Sequence, residues 1–232
     1  MINELAGPAE GLMLLIDKPK DYTSAKVVNI IKRKLNVKKA GHSGTLDPKA
    51  TGLLVVCTSK KTKELNTLLD AEKEYTGTMI LGESTPSFDS ETVVNKTRTL
   101  ENVNDDIILQ TVSGFLGEID QIPPMFSAVK YKGKPLYKYA RKNKEIERKS
   151  RKVIIKEFQI CRINLPLVEF RVLCSKGTYI RTLVNDFGEK LGTGAYLKEL
   201  RRTKIGSYDI KDSVTLEKFL EMNYEKSDDQ NY

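Results

Sequence analysis

The residues with the clearest chemical potential lie between Gly41 and Gly52, in the stretch GHSGTLDPKATG. This stretch holds the chain's only histidine, His42, shortly before a carboxylate, Asp47, and runs directly into the apolar residues 53–57. A carboxylate can act as a covalent nucleophile. Loops held on rigid strands commonly carry function. Closely placed glycines and an Asp before a Pro also make an ordinary turn, so on the residues alone that plainer reading stays open. The stretch is not a phosphate-binding P-loop, because the spacing from glycine to Lys-Ser/Thr is absent, nor is it a dinucleotide-binding fingerprint.

A second concentration of chemistry is electrostatic. Residues 121–156 hold twelve Lys or Arg and two Glu, a segment charge of +10 in a chain of net charge +8. Charge gathered in this way is the footprint of a phosphate-backbone partner, although an exposed, solvated hairpin gives the same count. Within it Lys130, Lys132, Lys134, Lys138 and Arg141 interleave with Tyr131, Tyr137 and Tyr139. Cys57, Cys161 and Cys174 are far apart, odd in number and without metal-type spacing, which argues against a zinc site or a disulfide framework. Each is expected to pack as a small hydrophobe. With a single histidine and no cofactor motif, neither a metal nor a cofactor is expected.

The elements that position these residues can be read from periodicity and punctuation. Residues 11–16 read as a strand, and Thr23 or Ser24 caps a helix to about Leu35 with Val27, Val28, Ile31 and Leu35 on one face. The loop from Gly41 ends in a central strand at 53–57, followed by a short helix near 61–69 and a strand at 73–81. Residues 83–104 look like a polar loop. Asn104 or Asp105 caps a helix through about Phe115, with Ile108, Val112, Phe115 and Leu116 at helical spacing. Strands near 153–163 and 167–174 pair across Asn164-Leu165-Pro166, with Val168, Phe170, Val172 and Cys174 on one face. A helix from Thr178, with Tyr179 and Arg181 in its first turn, ends at Gly192, and a strand at 195–205 and a helix at 215–222 follow. Hairpins mixed with single helices predict an α+β fold with a mixed, largely antiparallel sheet.

The bulk numbers narrow the class. At 232 residues, 39% hydrophobic and 30% charged, the chain reads as one globular domain over 1–232 with a polar tail at about 223–232, and neither as disordered nor as fibrous. Its apolar stretches, such as 12–16 and 53–57, fall far short of the roughly 20 residues that span a bilayer. Glu4 and Glu10 stand where a secretory signal would be basic, so the expected location is the cytoplasm.

The stretch GHSGTLDPKATG resembles the catalytic motif of the TruB family, the bacterial tRNA pseudouridine synthases that act on the T-loop uridine at tRNA position 55. Other segments agree in order and spacing. Leu15-Ile16-Asp17-Lys18-Pro19 is similar to the family's N-terminal motif, and Tyr75 falls where the family has its active-site tyrosine. Residues 121–141, QIPPMFSAVKYKGKPLYKYAR, resemble its RNA-contacting segment. Ser175-Lys176-Gly177-Thr178-Tyr179-Ile180-Arg181 and Leu200-Arg201-Arg202 match two further motifs, so the resemblance covers about 11–220. Two departures stand out. Ser84-Thr85-Pro86-Ser87-Phe88-Asp89 replaces an alternating Thr and Asp segment, and the chain reads as a short form without the family's small C-terminal RNA-binding domain.

The resemblance implies the pseudouridine synthase fold and the isomerisation of uridine to pseudouridine. That reaction breaks the C1′–N1 bond, turns the uracil and rejoins it through C5, and because product and substrate are isomers it needs no redox partner or group donor. Asp47 is implied as nucleophile, with attack at C1′, attack at C6 of the base, and assistance to a glycal route all open to it. Arg181 is expected to hold Asp47 ionised through a charge-assisted pair. Tyr75 is expected to stack on the extruded uracil and remove a proton, with Tyr179 and Leu200 lining the pocket and Lys18 and Pro19 shaping it. His42 is expected to fill the place that the nucleotide leaves. The implied partner is the T-arm stem-loop of tRNA, read by a monomer without a protein partner or a membrane. An RNA-binding module that had lost catalysis would be missing Asp47, Tyr75 or Arg181, and all three are present. A guide-RNA-dependent relative would bring added terminal segments.

Overall fold

The computed structural model describes residues 10–223; the stretch with Glu4 and nearly all of the polar tail read from the sequence lie outside them. In chain order the elements begin with β1 (Met13–Lys18), α1 (Ser24–Lys34), β2 (Ala40–His42) and β3 (Thr51–Thr58), then a 3-10 turn at Ser59–Glu64 that runs into α2 (Leu65–Asp70). Next come β4 (Lys73–Leu81), β5 (Glu83–Ser84), β6 (Lys96–Thr97), α3 (Asp105–Ser113) and β7 (Gly117–Gln121). The basic segment holds β8 (Lys130–Tyr131), β9 (Lys134–Pro135) and α4 (Tyr137–Ala140), and β10 (Arg151–Asn164) and β11 (Leu167–Cys174) follow. The chain then forms α5 (Ile180–Leu191), β12 (Ala195–Ile205), β13 (Tyr208–Asp209), β14 (Val214–Thr215) and α6 (Leu216–Glu221). It divides into two compact units, Met1–Tyr75 with Arg201–Tyr232, and Thr76–Leu200.

In the first unit the strand order is β14-β1-β3-β12. β3 pairs antiparallel with β1 and β2 and parallel with β12, and β1 pairs parallel with β14. β3 is apolar on both faces because both are covered. Leu54 and Val56 pack with Leu14, Ile16, Val27, Ile31 and Phe219, whereas Leu53, Val55 and Cys57 pack with Leu65, Leu68 and Ile205. Full burial of each such side chain contributes about 1.5–3 kcal/mol, so the strand that follows the Asp47 loop is packed on both faces. α1 is capped as read, Thr23 accepting from the Lys26 N–H, and Val27, Val28, Ile31 and Leu35 are all buried.

In the second unit the order is β12-β4-β11-β10-β7. β10 and β11 form the antiparallel hairpin expected from their alternation, with Val168, Phe170, Val172 and Cys174 buried, and β7 pairs antiparallel with β10. α5 lays Ile180, Leu183, Val184 and Phe187 into the core, where Phe158 meets Phe115, Phe170 and Phe187 edge to face at 5.8–6.4 Å. Gly188 is required on that helix, since a Cβ there would stand 2.2 Å from the Ala195 nitrogen. The sheet is mixed and mostly antiparallel, and the fold is α+β.

Some local readings change. Residues 83–104 contain the β5–β6 hairpin, too short and polar to show alternation. β1 starts two residues later than read and runs on to Lys18. α3 stops at Ser113, so Leu116 lies beyond the helix and is exposed, while Ile108, Val112 and Phe115 are buried. Tyr179 is the N-cap of α5, not part of its first turn. Cys57 and Cys174 are buried, but Cys161 is exposed, because the register of β10 on β11 shifts between Ile160 and Arg162 and leaves it out of the pairing.

Candidate active site

Asp47 sits in the connection between β2 and β3, and that connection is tied down along its length. Ser43 N–H donates to the Val55 carbonyl at 3.0 Å. The buried Ser24 hydroxyl, at the start of α1, accepts from Leu46 N–H at 2.9 Å and donates to its carbonyl at 3.1 Å. Two buried cations then reach the same loop. Arg202, 1% exposed, donates through Nε to the Leu53 carbonyl at 2.8 Å and through Nη2 to the Gly44 carbonyl at 3.0 Å. Lys18, fully buried at the end of β1, donates to the carbonyls of Pro19 (3.0 Å), Tyr22 (2.6 Å) and Pro48 (3.3 Å). The sequence must supply glycine at 52: its φ is +105°, and a Cβ would lie 2.3 Å from the Arg202 carbonyl oxygen.

Charge in this unit follows from that burial. Burial pulls the Lys18 ammonium down to about 8, opposed by attraction to Asp47 and Asp21. Lys18 therefore tethers the Asp47 loop from inside through the Pro48 carbonyl. Pro19 sits half-buried beside it as one of its acceptors. Burial, and after it the charge of Arg202, hold His42 below the ordinary imidazole range, so the ring is neutral at pH 7. Gly44 N–H points at Nδ1 at 3.3 Å, which leaves the ring proton on Nε2. His42 borders a cavity of about 480 Å³ that Val28, Asn29, Lys39, Asn66 and Leu69 also line. Arg201 grips Asp17 with both terminal nitrogens, at 2.6 and 3.0 Å. Tyr75, on β4, is buried.

The remaining expected residues belong to the second unit. Arg181, in the first turn of α5, is only 3% exposed, and its Nη1 donates to Asp89 Oδ2 at 3.3 Å. Asp89 is itself buried and locally fixed. Its other carboxylate oxygen accepts from Glu91 N–H at 2.9 Å, and its carbonyl accepts from Thr85 Oγ1 at 2.7 Å and Ser87 Oγ at 3.2 Å. The segment that departs from the family pattern is thus built around the carboxylate facing Arg181. Tyr179 is half-buried with the Arg151 guanidinium 5.0 Å over its ring, and Leu200 is half-buried on β12.

The basic segment is a small hairpin, β8–β9, followed by α4. Lys130, Lys132, Lys134 and Lys138 are exposed, and no carboxylate pairs with them among the described residues. Tyr131 and Tyr139 meet edge to face at 6.0 Å. Arg141 differs from the lysines, since it pairs with Glu91 at 3.2 Å and lies 5.5 Å over the Tyr137 ring. A groove of about 500 Å³ between the hairpin and the start of β10 is lined by Pro123, Tyr131, Leu136, Arg148, Lys149 and Arg151. Among the described residues no group of three or more His, Cys, Asp or Glu is placed to hold a metal, and no helix is long and apolar enough to cross a membrane.

Residues 32–180 match the family model described as TruB family pseudouridylate synthase (N terminal domain), and residues 181–232 match the one described as tRNA pseudouridylate synthase B C-terminal domain. The chain belongs to the TruB family. It is 51% identical to the tRNA pseudouridine synthase B of Flavobacterium johnsoniae over 91% of this chain and 96% of that protein. The tRNA pseudouridine synthases B of Phocaeicola vulgatus and Clostridium tetani are 45% and 46% identical, over 93% and 72% of their own lengths. Among solved structures, it is similar to a chain of a Cbf5-Nop10-Gar1 complex, with a TM-score of 0.70 and 35% identity over 91% of this chain. It is also similar to a chain of an H/ACA RNP bound to a substrate RNA containing 2′-deoxyuridine, with a TM-score of 0.68 and 32% identity over 90% of this chain. It spans about half the length of those two chains. As a TruB member it is a tRNA pseudouridine synthase, an isomerase. The sequence reads as a short form lacking a C-terminal domain, yet the second match puts α5, β12 and α6 under the name of the family's C-terminal domain.

Sequence reasoning missed Arg202 in the first unit and Asp89 in the second. Asp89 gave no signal beyond a carboxylate in a Ser/Thr-rich stretch. Arg202 stood in a matched motif, but nothing in its spacing tells that its guanidinium is the one buried against the Asp47 loop.

Proposed function

We propose that this TruB enzyme isomerises the uridine at position 55 in the T loop of tRNA, with Asp47 as the nucleophile acting on an extruded nucleotide. The observation that carries the reading is the construction of the Asp47 loop. Its start at Gly44 is tied to Leu53 of β3 by one buried guanidinium and its Pro48 carbonyl is held by a buried ammonium, so the carboxylate belongs to a rigid loop next to a fixed positive charge. A nucleophile needs that preorganisation, because misplacement by about 1 Å can cost about 10²-fold in rate. The reaction is an isomerisation within one nucleotide, so every atom of the product comes from the substrate.

The resemblance supplies the remaining roles. Tyr75 stacks on the uracil and takes a proton, Arg181 is the charged group of the site, and Tyr179 and Leu200 line the pocket. His42, neutral and flat, suits stacking in place of the extruded nucleotide. Lys130, Lys132, Lys134 and Lys138 supply phosphate contacts to the T arm, with Arg141 joining them after exchanging Glu91 for a phosphate. The chain works as a single catalytic domain over 1–232, as a cytoplasmic monomer without a protein partner. The test is to incubate purified protein with unmodified tRNA and map pseudouridine along it. Modification at position 55 alone supports the reading; modification elsewhere, with position 55 untouched, refutes it.

A further inference from the structure

Gln121 ends β7 and stands opposite Arg151 in the pairing of β7 with β10. It is 1% exposed, and one residue uses both ends of its side-chain amide. Oε1 accepts from the Tyr179 N–H at 2.7 Å, and Nε2 donates to the Tyr179 carbonyl at 3.1 Å. A primary amide used in this way supplies what a neighbouring strand would supply, one acceptor and one donor side by side. Tyr179 has need of it. It is the N-cap of α5, extended at φ −94° and ψ 106°, and its own side chain makes no capping bond. Its carbonyl also accepts from Leu183 N–H at 3.0 Å, the first intrahelical bond of α5. Arg151, the strand partner of Gln121, covers the Tyr179 ring at 5.0 Å. The β7–β10 pair therefore holds Tyr179 by its backbone and by its ring, two residues before Arg181 pairs with Asp89.

We infer that Gln121 is a positioning residue for the isomerisation: its amide sets the backbone of Tyr179, and through it the Tyr179 ring and the first turn of α5 that carries Arg181. The inference rests on the proposed reading that Tyr179 and Arg181 belong to the site. It makes a specific chemical demand. A carboxylate at 121 offers two acceptors, so one oxygen serves the Tyr179 N–H while the other faces the Tyr179 carbonyl with no proton between them, in a buried place. A protonated carboxylic acid has one donor and one acceptor and copies the amide. Burial raises a carboxyl pKa, so Gln121→Glu becomes a switch in the ordinary assay range.

The test compares wild type, Gln121→Glu, Gln121→Leu and Tyr179→Ala as full-length chains. It measures kcat and KM on unmodified tRNA from about pH 6 to about pH 8.5, with a melting curve at each pH. The expected result is that Gln121→Glu approaches wild type at the acid end and loses about tenfold or more relative to it at the alkaline end. The loss should fall in kcat, with the melting temperature well above the assay temperature throughout. Gln121→Leu should be low at every pH. If Gln121→Glu tracks the wild-type profile while Tyr179→Ala is impaired, Gln121 does not position Tyr179 and the inference is overturned, with the site reading intact. If Tyr179→Ala turns over at the wild-type rate, the reading of Tyr179 fails and takes this inference with it. Should Gln121→Leu fail to fold, the pH response of Gln121→Glu decides alone.

Discussion

Replacing Arg202 by lysine should loosen the Asp47 loop while keeping its positive charge. The guanidinium spans the loop from inside, with Nε on the Leu53 carbonyl at 2.8 Å and Nη2 on the Gly44 carbonyl at 3.0 Å. An ammonium is a point charge without the planar fork, so from one place it serves one of these carbonyls and releases the other. One hydrogen bond from a charged donor contributes about 1.5–3 kcal/mol. At about 2–4 °C per kcal/mol for a chain of this size, Arg202→Lys should melt about 3–12 °C lower. Losing either bond unties Gly44, at the start of the Asp47 loop, from Leu53 of β3, so kcat on tRNA should fall by about tenfold to a hundredfold. RNA affinity should hold, because Arg202 is buried and makes no contribution to the exposed basic segment. Thermal unfolding and single-turnover pseudouridine formation measure the two effects on the same samples. A melting temperature within about 1 °C of wild type, together with unchanged single-turnover kinetics, would show that the clamp does not position the loop.

Lys18 gives a pH prediction with a definite sign. Its folded value of about 8 lies below the ordinary 10.5, so between these values the unfolded chain binds more protons and the Lys18 contribution to stability rises with pH. Turnover should move the other way, falling as pH passes about 8, because a neutral amine has two N–H groups for three carbonyls and no charge beside Asp47; a kcat profile flat through that region refutes the tether. Tyr75→Phe keeps the ring and removes the hydroxyl, so kcat should drop about 10²- to 10⁴-fold with RNA binding unchanged, and wild-type turnover would remove the proton-transfer role. If the four exposed lysines of the basic segment neutralise about four phosphates, affinity for tRNA should fall about 10²-fold between about 50 and 200 mM salt. Filter binding across that range checks it, and a salt-independent Kd would place recognition elsewhere.

The sequence was legible where a repeated local pattern coincided with burial. The 195–205 and 73–81 strands, the alternation of Val168, Phe170, Val172 and Cys174, and the stripe of α1 all come from one-sided or two-sided packing that leaves its period in the chain. The short pairings left no such period: β5 with β6 and β8 with β9 are two residues long, too short for alternation to show. The candidate residues were legible as motifs, but their partners were not. Lys18 looks like an ordinary basic residue at the end of a strand, and only the fold reveals that its ammonium is spent on three carbonyls. Asp89 and Arg181 are 92 positions apart, and no local pattern links them.

The claim on which the account turns is that Asp47 is the nucleophile for modification of position 55. Asp47→Asn keeps the size and shape of the side chain and removes its charge, so single-turnover assay of wild type and variant on unmodified tRNA, with pseudouridine mapped by position and RNA affinity measured in parallel, tests it directly. The account predicts pseudouridine at position 55 with the wild-type chain, none above background with Asp47→Asn, and RNA affinity within about threefold between them. Substantial turnover by Asp47→Asn at position 55 would contradict it.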